Sequence, residues 1–271
     1  MIRDFTSTRL FLRPALSEGA VVDLDAKQAN YLANVLRLRD NDTVLVFNGS
    51  DGEWRATLAA SGKKTWRLTA TEQTRPQPHA PDLQYIFAPL KHARLDYMVE
   101  KAVEMGAGRL RPVITRHTQV TRINRDRMEA NAIEAAEQCG ILTLPTIDEP
   151  IALGDLLDRW EKNDTGRRLI FCDESAAGDP LTQLASLKRD IANESPLPGG
   201  ERDRVREVAP NPPPLAVLIG PEGGFAQDER AALLSRPYVT AISLGPRILR
   251  ADTAAVAALA LVQATLGDWR A

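Results

Sequence analysis

Several residue types are scarce in this chain, and each shortage excludes something. Its two cysteines, Cys139 and Cys172, lie far apart and form no CxxC or Cys/His spacing. A disulfide framework or a structural zinc site is therefore not expected, and a reducing cytoplasmic setting is. The three histidines, His79, His92 and His117, show no ligand spacing, so no metal is expected. No apolar run reaches the length of a membrane span, which argues against a membrane partner. The opening MIRDFTSTRLFLRP carries scattered charge and no apolar centre, unlike a secretory signal. Neither sign of charge dominates: 34 Lys and Arg face 36 Asp and Glu, for a net charge of −2. Any nucleic-acid footprint must therefore be local.

What is present fits one large or two modest domains: 271 residues, 44% of them hydrophobic. Residues 1–75 hold short strand candidates at Thr8–Leu12, Ala20–Leu24, Thr43–Phe47, Glu53–Ala59 and Thr65–Thr71. Turn pairs such as Asn48-Gly49 and Asp51-Gly52 separate them, which suggests a small barrel or sandwich. One helix is expected over Lys27–Leu38, with Tyr31, Leu32, Val35 and Leu36 on one face. The proline-rich stretch 72–82 reads as a linker, with the domain boundary at 76–82. From residue 83 strands and helices alternate, as in an α/β domain with a mostly parallel sheet. Strands are expected at Leu83–Ala88, Leu110–Thr115, Leu142–Ile147 and Arg168–Asp173. Helices are expected up to Gly106, over Asn124–Cys139 and over Leu153–Glu161. Residues 192–214 are dominated by Pro, Gly and charge and read as a flexible surface insertion.

Residues 215–253 are the most informative. Leu215–Ile219 reads as a buried strand that runs into Gly220, Pro221, Gly223 and Gly224. Glycine there lets backbone groups approach a ligand without a Cβ in the way. A helix candidate, Gln227–Ser235, opens on Asp228 and Glu229, which suit a helix N-terminus. The pattern then repeats: Val239–Leu244 is a strand, Gly245-Pro246 breaks it, and Arg247 and Arg250 precede an alanine-rich helix, Ala251–Leu266. Two such units place both turns at one end of a parallel sheet, where open α/β sheets bind ligands. The spacing matches neither GxGxxG nor the Walker pattern. The last helix is apolar almost all round and must be buried.

GPEGGF followed by LGPRILRADTA resembles the signature of the RsmE family of 16S ribosomal RNA (uracil-N3)-methyltransferases, of the SPOUT class. PLKHARLDYMVEKAVEMGAGRLRPVITRHTQV and IEAAEQCGILTLPTI are similar to the family as well, so the likeness covers most of the chain. It implies a trefoil-knotted α/β domain over 83–271 that binds S-adenosyl-L-methionine, and a PUA-like RNA-binding β-barrel over 1–75. Leu218, Ile219, Gly220, Pro221, Glu222, Gly223, Gly224, Leu244, Gly245, Pro246, Ile248 and Leu249 would hold the cofactor. The last helix would also serve a homodimer. Arg250-Ala251-Asp252-Thr253-Ala254 stands where the family usually has Arg-Thr-Glu-Thr-Ala, and Asn30 where relatives commonly show histidine.

N3 of uridine must lose a firmly held proton to accept a methyl group, so a base or a cation that stabilises the anion would help. Arg250 is the candidate cation, and Glu222 the candidate base. The bland alternatives are a salt bridge from Arg250 to Glu222 or Asp252, and a Glu222 that caps its own loop. For the partner, 16S rRNA or the small ribosomal subunit, the densest basic segment is 109–127, with six arginines against one acid, Asp126. Arg116, Arg122 and Arg125 there, Lys91 in the APLKHAR turn, and Arg9, Arg13 and Arg37 in the small domain are the candidate phosphate contacts. Two rival readings are a non-catalytic ribosome-assembly factor with the same fold and a nucleotide-dependent metabolic enzyme.

Overall fold

The computed structural model of the chain describes residues 6–62, 65–120, 122–194 and 212–270. Most of the insertion expected at 192–214 thus lies outside the described residues. Two compact units emerge: Met1–Ala80 with Ala132–Leu144, and Pro81–Asn131 with Pro145–Ala271.

The small unit is a five-stranded sheet of β1 (Arg9–Phe11), β2 (Val21–Asp23), β3 (Thr43–Phe47), β4 (Glu53–Ala60) and β5 (Trp66–Arg75). The strands run in the order β1-β3-β4-β5-β2, antiparallel except for the β1/β3 pair. Val44, Val46, Ala56, Leu58 and Leu68 send one sheet face into a core with Leu10, Leu12, Val22 and Leu32. Burial of each large aliphatic side chain contributes roughly 1.5–3 kcal/mol. Helix α1 (Ala26–Asn30) starts at a capping box, in which Asp25 accepts from the Gln28 N–H and Gln28 accepts from the Asp25 N–H. The single helix expected to Leu38 does not form. The chain widens instead into a π turn, Tyr31–Val35, closed by Leu36 N–H on Tyr31 C=O. That wider winding rotates the apolar face. Leu32 is fully buried, whereas Val35, expected on the same face, is 61% exposed.

One carboxylate organises the other side of this sheet. Glu53 is buried and accepts from Arg9 Nε at 2.9 Å, from Arg75 Nη2 at 2.7 Å and from Thr74 Oγ1 at 2.9 Å. Burial alone would push its carboxyl up; the bonds from Arg75, Thr74 and Arg9 outweigh that and hold it below the usual carboxylate range. Arg75 also donates to Gly140 C=O, and Phe11 N–H to Glu137.

The large unit contains β6 (Leu83–Phe87), α2 (His92–Glu104), β7 (Arg109–Ile114), the first half of α3 (Arg125–Cys139), β8 (Thr146–Ile147), β9 (Ile151–Ala152), α4 (Leu153–Asp158) and α5 (Trp160–Asn163). It continues with β10 (Arg168–Cys172), α6 (Pro180–Glu194), β11 (Leu215–Ile219), α7 (Gln227–Leu234), β12 (Val239–Ile242) and α8 (Ala251–Thr265). All strand pairs are parallel, in the order β12-β10-β11-β6-β7-β8, with β9 paired to β7. Period-two alternation sends Ile86, Leu169, Phe171, Ala216 and Leu218 to one face, against Leu156, Leu157, Trp160 and Leu233. On that face Trp160 stacks on Tyr238 at 5.0 Å. Helix α8 packs against α2, α6 and β11. Helices on both faces explain why the strands are continuous apolar runs. The expected strand Leu142–Ile147 shrinks to its last two residues, and the helix expected over Leu153–Glu161 breaks at Arg159.

Candidate active site

Strands β10 and β12 pair with each other, and β11 flanks β10 on its other side, so the carboxyl ends of all three lie at one edge. A cavity of about 520 Å³ opens there, within the range of ligand pockets. Its walls are the turn after β11 (Ile219–Glu222, Gly224, Phe225), the turn after β12 (Ser243–Arg250), the end of β10 (Phe171–Ser175), the start of α8, and Arg94 and Arg230.

The first turn folds as it does because of Phe225. Its ring lies over Gly220 and packs edge-on against Phe171 at 5.1 Å. A Cβ on Gly220 would sit 2.4 Å from that ring, so only glycine fits beneath it. Gly224 adopts φ +68° and turns the chain into α7. There Glu229 accepts from Ala226 N–H at 3.0 Å and closes the helix start. In the second turn Gly245 N–H donates to Ser243 Oγ at 3.2 Å, and Ser243 N–H donates to Gln183 of α6.

Most of the residues expected around a cofactor meet at this cavity; two do not. Leu218 points to the opposite, core face of the sheet, as the alternation from Ile219 requires. Gly223 is exposed and stands outside the lining. Ile248 reaches the rim 85% exposed.

Charge is distributed unevenly around the mouth. Asp173, buried at the end of β10, takes Arg230 Nε and Nη2 at 2.9 and 2.8 Å. Glu222 pairs with Arg94 of α2. Asp252 accepts from Thr253 N–H at 2.8 Å. Glu222 is thus engaged elsewhere, and Asp252 turns to its neighbour Thr253 and makes no ion pair with Arg250 among the described residues. Arg250 is exposed and, with Arg247, has no ion-pair partner among the described residues. Cys172 lies in the wall, where burial pushes its thiol up to about 12.

Sequence patterning missed Arg94, Arg230 and the Phe171–Ser175 segment. Arg94 lies in the first turn of α2, Arg230 in α7, and Phe171–Ser175 at the end of β10 and just beyond it, and only the strand order brings them to the cavity.

The basic segment 109–127 is largely neutralised. Arg109 pairs with Asp148, Arg116 with Asp228 at 2.6 Å, Arg125 with Glu149, and Arg127 with Asp96 at 2.6 Å. Arg111 is buried, donating to Asp164 at 2.6 Å and to Gln84 at 2.8 Å. Arg122 alone of the six is exposed without an ion-pair partner among the described residues. Lys91, at the start of α2, is likewise exposed and unpaired among the described residues. In the small unit Arg37 is exposed at φ +59°, and Arg13 lies over the Phe11 ring at 5.9 Å. Arg9 does not join a phosphate-binding surface: it is 7% exposed and spent on Glu53. Among the described residues, no three His, Cys, Asp or Glu side chains group closely enough to hold a metal ion, and no helix is long and apolar enough to cross a membrane.

A parallel sheet whose strand ends enclose a pocket, in a chain that also carries a separate β unit, is an architecture that RNA methyltransferases share. The family model described as RNA methyltransferase domain matches residues 77–263, the model described as RNA methyltransferase PUA domain matches 24–69, and the chain belongs to this family. Within the family, the chain is similar to proteins named ribosomal RNA small subunit methyltransferase E. The Rickettsia conorii protein of that name is 29% identical over 256 residues, covering 94% of each chain. That of Synechocystis is 28% identical, covering 95% of this chain and 78% of its own. The crystal structure of ribosomal RNA small subunit methyltransferase E from Neisseria gonorrhoeae, bound to S-adenosyl methionine, superposes with a TM-score of 0.74 at 27% identity. It spans 97% of this chain and 99% of its own.

Proposed function

We propose that this protein methylates N3 of a uridine in 16S ribosomal RNA, with S-adenosyl-L-methionine as methyl donor. The observation that carries the reading is the glycine-rimmed cavity at the sheet's carboxyl edge, with an uncompensated Arg250 at its mouth. The lining suits the donor. Ile219, Leu244 and Leu249 offer apolar surface for an adenine ring, and the turns offer backbone donors and acceptors for its edge. Glu174, which has no ion-pair partner among the described residues, suits a ligand with a cationic centre, whereas Asp173 and Glu222 are already paired with Arg230 and Arg94. When bound, S-adenosylmethionine supplies an electrophilic methyl group.

The chain's own residues supply orientation and charge. An arginine does not give up its proton, so Arg250 acts as a fixed cation that favours the uracil anion as water takes the N3 proton. Glu222, held by Arg94, orients the rim, and this role is better supported than that of a free base. Lys91 and Arg122 are the phosphate contacts that the geometry supports best, and Arg37 is the small unit's candidate. In this reading residues 1–75 are the PUA-like RNA-gripping domain and 83–271 the knotted catalytic domain, joined at 76–82, with Ala132–Leu144 grouping with the small unit. The face of α8 that carries Val256, Ala257, Ala260 and Leu261 is only half-buried, which supports a homodimer through this helix. The setting is the cytoplasm, where ribosomes are built.

Purified protein, labelled donor and small-subunit RNA test the reading, with mass spectrometry of the nucleosides. N3-methyluridine is the expected product. Donor binding without transfer would favour the assembly-factor alternative.

A further inference from the structure

The turn that follows β7 is fastened to the glycine loop, although neither element needs the other for its own hydrogen bonds. Thr115 N–H donates to Thr118 Oγ1 at 2.8 Å, and Thr118 N–H to Thr115 C=O at 3.1 Å, so the turn is closed on itself. Arg116 N–H then donates to Glu229 at 2.8 Å, and its guanidinium to Asp228 at 2.6 Å. Both acids belong to the first turn of α7, the helix that the glycine loop opens. Between these ties His117 Nδ1 stands 3.0 Å from Gly224 C=O and 3.2 Å from Gly223 C=O. Carbonyl oxygens only accept, so Nδ1 carries the hydrogen and one N–H bridges two successive glycine carbonyls.

We infer that His117 is a positioning residue for the cofactor loop: its Nδ1–H pins the Gly223–Gly224 carbonyls in the conformation that receives the donor. The inference rests on the reading of this cavity as the S-adenosylmethionine site. The physical case is one of preorganisation. Glycine loses more backbone freedom on ordering than any other residue. A loop ordered before binding loses less on binding, and the ligand gains the difference. The pin acts on the backbone beside the ligand and not on the reacting atoms. It therefore belongs to donor affinity and not to the chemical step.

Three versions of the full-length protein test this: wild type, His117→Ala and His117→Asn. The asparagine places an N–H near the position of the imidazole Nδ1–H. Calorimetric titration with S-adenosylmethionine, single-turnover methyl transfer to small-subunit RNA at saturating donor, and thermal melting are measured on each. His117→Ala should weaken donor binding roughly three- to tenfold, the range of one net hydrogen bond. Its single-turnover rate should stay at the wild-type value, and its melting temperature should fall by no more than a few degrees, about what one hydrogen bond is worth. His117→Asn should restore affinity to within about twofold. Unchanged affinity in His117→Ala, or His117→Asn as weak as His117→Ala, would overturn the inference. A melting temperature that falls by about 10 °C or more would do so too, because it assigns the contact to global stability. Wild-type protein that binds no donor would sink the cofactor reading itself.

Discussion

Two arginine-rich stretches of the large unit look alike on paper and differ in space. Residues 109–127 carry six arginines, and five are matched by carboxylates: Asp148, Asp164, Asp228, Glu149 and Asp96. The turn after β12 carries two, Arg247 and Arg250, and neither is matched among the described residues. Positive charge along a sequence is therefore a poor guide to positive charge offered to a partner. What matters is whether the fold brings acids to meet it. The first stretch spends its charge on holding the unit together, and the second keeps its charge at the cavity mouth.

The largest effect should come from breaking the compensated side at its most buried point. Asp164 accepts from Arg111, Gln84 and Arg167. Asp164→Ala removes the buried carboxylate shared by two guanidinium groups, leaving Arg111 with Asp148 and Arg167 with Asp82 at the periphery, and should cost about 3–5 kcal/mol in urea unfolding. A loss below about 1 kcal/mol would mean that water already serves these arginines. On the uncompensated side, Arg250→Ala should lower the single-turnover methyl-transfer rate by about 100-fold or more, with donor affinity nearly unchanged. An unchanged rate would remove Arg250 from the mechanism.

Acid gives a third, gentler break. Burial would raise Asp164, but Arg111 and Gln84 outweigh it and hold the carboxyl low, as the arginines do for Glu53. Both groups have folded-state values below their unfolded ones, so the unfolded chain binds more protons in this window. Stability from these pairs is fully present above the ordinary carboxylate value, about pH 4, and is lost as pH falls through the lower folded values. Chemical denaturation between pH 7 and pH 3 should show the midpoint level first and then falling.

The smallest effects separate matched from unmatched surface arginines. Arg122→Ala should weaken RNA binding several-fold and take about 1 from the slope of log affinity against log salt. Arg125→Ala, whose partner is Glu149, should change the slope by less than half as much. Equal slopes for both would erase the distinction between the two stretches.

Much of the architecture was legible because burial leaves an unmistakable trace. Leu83–Phe87, Arg168–Cys172 and Leu215–Ile219 are covered on both faces and read as apolar runs. Gly220 and Gly224 mark the cavity loop because a side chain on the first would strike Phe225 and the second needs a positive φ. Helix α6 went unread: Leu184 and Leu187 are its fully buried leucines, and a polar, proline-rich stretch follows it. The π turn at Tyr31–Val35 could not be read from a 3.6-residue period. Nor could the fate of the arginines, since Asp148, Asp164 and Asp228 lie between 37 and 112 residues from their partners. Arg94 and Arg230 reach the cavity through strand order, which periodicity does not encode.

Cys172 sits in the wall of a pocket suited to an alkylating ligand, and sulfur is among the best acceptors of a methyl cation. The thiolate is the reactive form, and desolvation keeps this residue protonated far above neutral pH. If the proposed methyl donor occupies this pocket, the sulfur it meets in the wall is a thiol and not a thiolate, and so a poor acceptor of its methyl group.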